Sequence, residues 1–126
     1  MEEVGEAYMN VPLDKIKIYT KAQFLYWTKE EFSCCFRKLL VLEQYKNNEM
    51  SSLYRQYISS GPLDYMADIF RSAAESDEEA MQLALDFYGP VYLLYSVYDG
   101  ADDKESVLDA LDRHIDTFGL KSNFKK

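Results

Sequence analysis

Residues 77–100 read DEEAMQLALDFYGPVYLLYSVYDG, and residues 101–119 continue ADDKESVLDALDRHIDTFG. From Phe87 to Tyr98 the chain is apolar nearly all round, so a helix there must be covered on most of its sides. Asp77 is expected to cap a long helix from about Glu78 to Tyr98. Pro90 removes one backbone hydrogen bond inside it and is expected to kink it. Asp99 and Gly100 end it. Asp102 or Asp103 caps a last helix whose apolar face is Val107, Leu108, Leu111, Ile115 and Phe118, with Gly119 as its stop. A short connection makes these two helices antiparallel neighbours.

Upstream of this pair the same period of 3.6 residues recurs. Residues Glu2 to Met9 could end a helix that begins earlier, and Pro12 suits the first turn of the next one. From Leu13 to Thr28 one stripe is Leu13, Ile16, Thr20, Phe24 and Trp27. A second is Ile18, Ala22 and Leu25, with Tyr19 and Tyr26 alongside. Such a helix is sandwiched or faces a cavity. Thr28 and Glu31 have capping-box spacing, and the helix after them places Phe32, Cys35, Phe36, Leu39 and Leu40 on one face. Asn47 or Asn48 caps a short helix carrying Met50, Leu53, Tyr54, Tyr57 and Ile58. Ser59, Ser60 and Gly61 break it, Pro62 opens the next, and Leu63, Met66, Ala67, Phe70, Ala73 and Ala74 continue the spacing. No stretch alternates at period two over strand length. The expected fold is all-α, a bundle of about six helices in a single domain over residues 1–126.

Composition narrows the function. The 126 residues carry 14 Lys+Arg against 22 Asp+Glu, a net charge of −8. Twelve acidic and two basic residues fall between Glu75 and Asp116. A surface of that sign repels phosphate backbones, so this chain is a poor nucleic-acid binder by itself. No apolar run is long enough to span a bilayer, and MEEVGEAYMN lacks a signal-peptide layout. A cytoplasmic protein without membrane association is expected.

The segment from residue 87 to 98 has more apolar surface than one partner helix can cover. Pairing two copies across a two-fold axis would make a four-helix interface from the last two helices of each. Tyr88, Tyr92, Tyr95, Leu108, Leu111, His114, Ile115 and Phe118 are the candidate interface of this homodimer. Asp and Glu are expected to flank the seam.

AMQLALDFYGPVYLLYSVYDG, at residues 80–100, followed by DKESVLDALDRHIDTF, resembles the last two helices of TetR/AcrR-type transcriptional regulators. The run from PLDKIKIYTKAQF through LLVLEQYKNNEMSSLYRQYISSGPLDYMADIF resembles that family's ligand-binding core. The most telling parts are the L-x-x-E-Q stretch ending at Gln44 and the sequence Phe87-Tyr88-Gly89-Pro90. The resemblance spans roughly Pro12 to Phe118 and implies a regulatory domain that binds a small-molecule effector and dimerises. The family's helix-turn-helix head has no counterpart here. Residues 1–10 look like the remnant of the helix that would connect to it, so DNA binding is ascribed only to a parent protein carrying such a head.

Eleven Tyr, seven Phe and one Trp make an aromatic cavity the expected chemistry, because tyrosine joins an apolar face to a hydroxyl. The candidate ligand-contacting residues are Phe24, Trp27, Phe36, Leu39, Glu43, Tyr65, Phe87 and Val91. Glu43 lies on the apolar stripe, where a carboxylate would meet a basic partner or a cationic ligand. A lipophilic effector is therefore expected, cationic where Glu43 meets it. The alternative is a stand-alone helical dimerisation or interaction module without DNA binding.

Catalysis is not expected. His114 is the single histidine, and no E-x-x-H, G-x-S-x-G, G-x-G-x-x-G or Walker loop is present. No cofactor or metal is implied. Cys34 and Cys35 are adjacent, with no second pair to complete a metal site or a disulfide framework. Cys35 is expected to act as a small buried hydrophobe.

Overall fold

Apolar residues at helical spacing form helices throughout the computed structural model, which describes residues 13–122. The helices are α1 (Leu13–Thr28), α2 (Glu31–Glu43), α3 (Asn48–Tyr57), α4 (Ser60–Phe70), α5 (Asp77–Gly100) and α6 (Lys104–Ser122), with a 3₁₀ turn at Arg71–Ala73 after α4. The described residues contain no strand, and the fold is all-α. Sequence expectations for residues 1–10 and Pro12 lie outside the described residues.

Helices α1, α5 and α6 pack on one another, α4 lies along α5, and α2 and α3 link α1 to α4. Phe24, Phe70, Phe87, Leu40, Leu111, Ile115 and Val91 are fully enclosed. On α1, Ile16, Thr20, Phe24 and Trp27 are buried as their stripe requires, whereas Ile18, Tyr19 and Tyr26 on the second stripe are exposed. The α5–α6 contact runs through Phe87, whose ring lies 5.0 Å from Phe118 and 5.6 Å from the His114 imidazole. The His114 Nε2–H donates to the Phe87 carbonyl at 2.7 Å. That carbonyl can only accept, so the proton sits on Nε2.

Two lysines of α1 and Lys29 just after it meet three acids of α6: Lys17 with Asp116 at 3.1 Å, Lys21 with Asp112 at 3.1 Å, and Lys29 with Glu105 at 3.8 Å. Much of the acidic charge of α6 is thus answered within the chain. Each such exposed pair contributes at most about 1 kcal/mol, but together they fix the direction of α6 against α1.

The helix ends differ in detail from the sequence expectation. Thr28 does not form a capping box with Glu31: it is still helical, and its hydroxyl donates back to the Phe24 carbonyl at 2.7 Å. Glu30 takes the N-cap position of α2 with no side-chain bond. Asn47 caps α3, accepting from the Met50 N–H at 2.8 Å. The cap of α5 is Ser76, one residue before Asp77. Its hydroxyl accepts from the Glu79 N–H, and the Glu79 carboxylate accepts from the Glu75 N–H. That reciprocal pattern satisfies two backbone donors, which an Asp77 cap would not do. Asp103 accepts from the Ser106 N–H at the start of α6.

The largest correction concerns α2. Its inward face is Ser33, Arg37 and Leu40, and of the stripe read from its apolar residues only Leu40 is fully buried. Phe36 is half-buried, whereas Phe32, Cys35 and Leu39 are exposed. Cys35 is therefore a surface thiol and not a buried hydrophobe. The reason lies in Arg37, which is 2% exposed. Its guanidinium forms a two-pronged bond to Asp99 at 3.0 and 2.6 Å, donates from Nε to the Trp27 carbonyl at 2.9 Å, and lies over the Tyr95 ring. A bidentate, stacked arginine holds the ends of α1, α2 and α5 together. The helix rotates to supply it, turning Phe32, Leu39 and Leu42 towards solvent.

Candidate functional site

The geometry opens a cavity of about 240 Å³ where α1, α3, α4 and α5 meet. Helix α1 contributes Tyr19, Thr20, Gln23 and Trp27. The end of α3 contributes Gln56 and Tyr57. Gly61, Pro62, Tyr65 and Met66 come from α4, and Phe87, Tyr88, Val91 and Tyr95 from α5. The α5 set follows helical spacing, so one face of a helix covered by α4 and α1 supplies the floor. No charged residue belongs to this lining.

Four of the residues expected to contact a ligand line this space: Trp27, Tyr65, Phe87 and Val91. The other four do not. Phe24 is buried one layer behind, stacked on Tyr95 with ring centroids 4.8 Å apart. Phe36 packs edge-on against the outer side of the site at Tyr57. Leu39 faces solvent with the rotated surface of α2. Glu43 pairs with Lys46 at 3.3 Å at the end of α2, away from the cavity. The reason for expecting a cationic ligand goes with it.

Tyr88 and Tyr95, expected at a dimer interface, are cavity wall instead. Leu111, Ile115 and Phe118 are buried within the protomer, and Leu108 and His114 are partly buried there. Of the expected interface residues only Tyr92, 41% exposed, remains on the surface. Their own chain covers the apolar face of α6 through α1 and α5, so a second copy is not needed to bury it.

Sequence reading missed Tyr19, Thr20, Gln23, Gln56, Tyr57, Gly61, Pro62 and Met66 at this site. Tyr19 and Gln23 lie one step beside the α1 stripe at i, i+4 spacing, which was the available signal. Tyr19 and Tyr65 face each other with ring centroids 5.4 Å apart and are 40% and 48% exposed. They also border a second, outer depression of about 360 Å³ lined by Lys15, Ile16, Met66, Asp68 and Ile69. The tyrosine pair is the wall between the two spaces.

A comparison with family models, curated proteins and solved structures returned no match.

Tyrosine hydroxyls in the cavity wall and beside it are hydrogen-bonded. Tyr88 donates to the Ile58 carbonyl at 2.6 Å, and the Tyr54 and Tyr92 hydroxyls bond each other. Burial raises Tyr88 and Tyr95 well above the ordinary tyrosine value of 10.0, with Arg37 pulling Tyr95 back only partly. Burial and the bond to Tyr92 also raise Tyr54. A raised folded-state value means that this stability is fully present below about pH 10 and is lost as pH rises, because the unfolded chain ionises first. The melting temperature should hold steady up to about pH 10 and then fall. Tyrosinate absorbance should lag for these three residues until the protein unfolds. Complete tyrosine ionisation with native circular dichroism would contradict the placement.

Among the described residues, no group of His, Cys, Asp and Glu is arranged to hold a metal ion. No described helix is long and apolar enough to cross a membrane.

Proposed function

We propose that this chain is an effector-sensing and dimerisation domain of the TetR-like kind, and that the cavity between α1, α3, α4 and α5 takes a small lipophilic molecule. The carrying observation is the lining: aromatic and apolar side chains from four helices, with a few hydroxyls and amides and no charge. Binding pockets have that make-up. A ligand wedged between four helices can bias their relative positions, which is what coupling to a distant partner domain requires. The resemblance of the sequence to that regulator family supports the same reading. Thermal melts with a panel of neutral aromatic compounds test it. Binding should raise the melting temperature in proportion to the logarithm of ligand concentration. A flat response across the panel would remove the sensor reading.

Of the interface residues the sequence suggested, the dimer proposal keeps only Tyr92. Leu85, Tyr92, Leu93 and Val97 are exposed along one side of α5, flanked by exposed Gly89, Pro90 and Ser96. A two-fold contact along this side would place α5 against its copy. Leu93 is 61% exposed, so Leu93→Glu should leave the fold intact. Sedimentation velocity should show a dimer for the parent chain and a monomer for this variant, with melting temperatures measured alongside. A monomeric parent chain would defeat the dimer proposal.

A stand-alone interaction module is the second reading, and the outward ridge of α2 favours it. Phe32 is 79% and Leu42 is 70% exposed, an unusual cost for a helix with no partner.

A further inference from the structure

The cavity wall contains a polar group without a partner. Thr20 is 4% exposed and belongs to the cavity lining, and its Oγ1 is itself enclosed and makes no hydrogen bond. Most buried hydroxyls in folded proteins are bonded, and one that is not is destabilising. Helical threonines ordinarily bond the carbonyl one turn back. Thr28 does so with Phe24 on this same helix, and Thr20 does not. Among the described residues the other buried side-chain atom without a hydrogen bond, Asp112 Oδ1, lies 3.1 Å from the Lys21 ammonium and is electrostatically satisfied. Thr20 has no such neighbour among the described residues.

Resting on the cavity reading above, we infer that Thr20 is the polar anchor of the site. Its ligand is a neutral, flat molecule of two fused rings carrying one hydroxyl or carbonyl that bonds Thr20 Oγ1. Three observations fix that class. An apolar cavity of about 150 Å³ suits a single benzene ring, so about 240 Å³ has room for a second ring. Flat rings match walls built from Trp27, Tyr57, Phe87 and Tyr95. The lining has no charge to offset a desolvated ion, so a charged ligand is rejected. Threonine in a helix divides between two rotamers, so a change of rotamer can bring the enclosed hydroxyl to the cavity when a partner arrives. A site with a buried polar group discriminates strongly against ligands that leave it unpaired.

The experiment measures affinities of 2-naphthol, 2-methylnaphthalene and 2-naphthoate by calorimetry, for the parent chain and for Thr20→Val and Thr20→Ser. The parent chain should bind 2-naphthol about tenfold more tightly than 2-methylnaphthalene and leave 2-naphthoate unbound. Thr20→Val keeps the shape and removes the hydroxyl. It should melt no lower than the parent and lose the preference, and Thr20→Ser should restore it. If both neutral compounds bind equally to the parent, the cavity reading stands and the anchor is overturned. A preference that survives in Thr20→Val also overturns it. If neither neutral compound binds, the cavity reading and the anchor fall together.

Discussion

Asp99→Ala should lower folding stability by about 3 kcal/mol, because it strands a buried guanidinium. Arg37 is 2% exposed and keeps the Trp27 carbonyl, the Tyr95 ring and a long contact to the Cys34 sulfur at 4.0 Å once its carboxylate is gone. The side chain of Asp99 is 27% exposed, so water can enter on its side, and the loss falls at the lower end of the range for a broken buried pair. For a domain of this size the loss corresponds to a melting temperature about 10 °C lower. A second substitution separates the lost bond from the stranded charge. Arg37→Met in the Asp99→Ala background removes the orphaned charge and fills part of its space, so the double variant should be more stable than Asp99→Ala alone. Urea denaturation of the parent and the two variants measures this. An Asp99→Ala variant within about 0.5 kcal/mol of the parent would mean that the pair does not hold α2 in place.

This pair also shows why part of the fold was legible in the sequence and part was not. Periodicity located every described helix, since each buries a stripe against neighbours and the stripe repeats at 3.6 residues. It failed for the facing of α2, where the buried side chain is charged. Arg37 is inward because Asp99 stands 62 positions further along the chain, and no local pattern carries that information. The cap of α5 moved from Asp77 to Ser76 for a more local reason: only Ser76 places Glu79 in position to return the bond.

The site divides in the same way. Trp27, Tyr65, Phe87 and Val91 were readable as large residues on inward faces. Tyr19, Gln23 and Gln56 sit at the margins of their stripes, and which margin meets a cavity depends on how four helices are set against each other. Tyr88 and Tyr95 were read as surplus apolar area needing a second copy. Within the protomer α4 and α1 cover them. The surplus that does remain on α5 is Leu85, Tyr92, Leu93 and Val97, on its other side.

Gly61→Ala should destabilise the protein by about 3 kcal/mol and weaken ligand binding with it, although alanine is the better helix former. A Cβ on Gly61 would lie 1.9 Å from the Gln56 carbonyl oxygen and 2.7 Å from its carbon. Both are backbone atoms, so no side-chain rotation relieves the clash. The junction of α3 and α4 must open instead. The helix-propensity gain of about 1 kcal/mol is too small to offset that displacement. Gln56, Gly61 and Pro62 all line the cavity, so the same opening alters its wall. Gly89→Ala is the matched control: Gly89 is exposed within α5, and a Cβ there meets nothing within 4 Å. It should raise stability by up to about 1 kcal/mol through helix propensity and leave ligand affinity unchanged. Chemical denaturation and calorimetry on both variants give the two signs directly. If Gly61→Ala proves as stable as Gly89→Ala, the close approach of α4 to the end of α3 is wrong, and with it the outline of the cavity. If the signs differ as expected, the glycine at residue 61 is required by the backbone opposite it, and the cavity owes its shape to that contact.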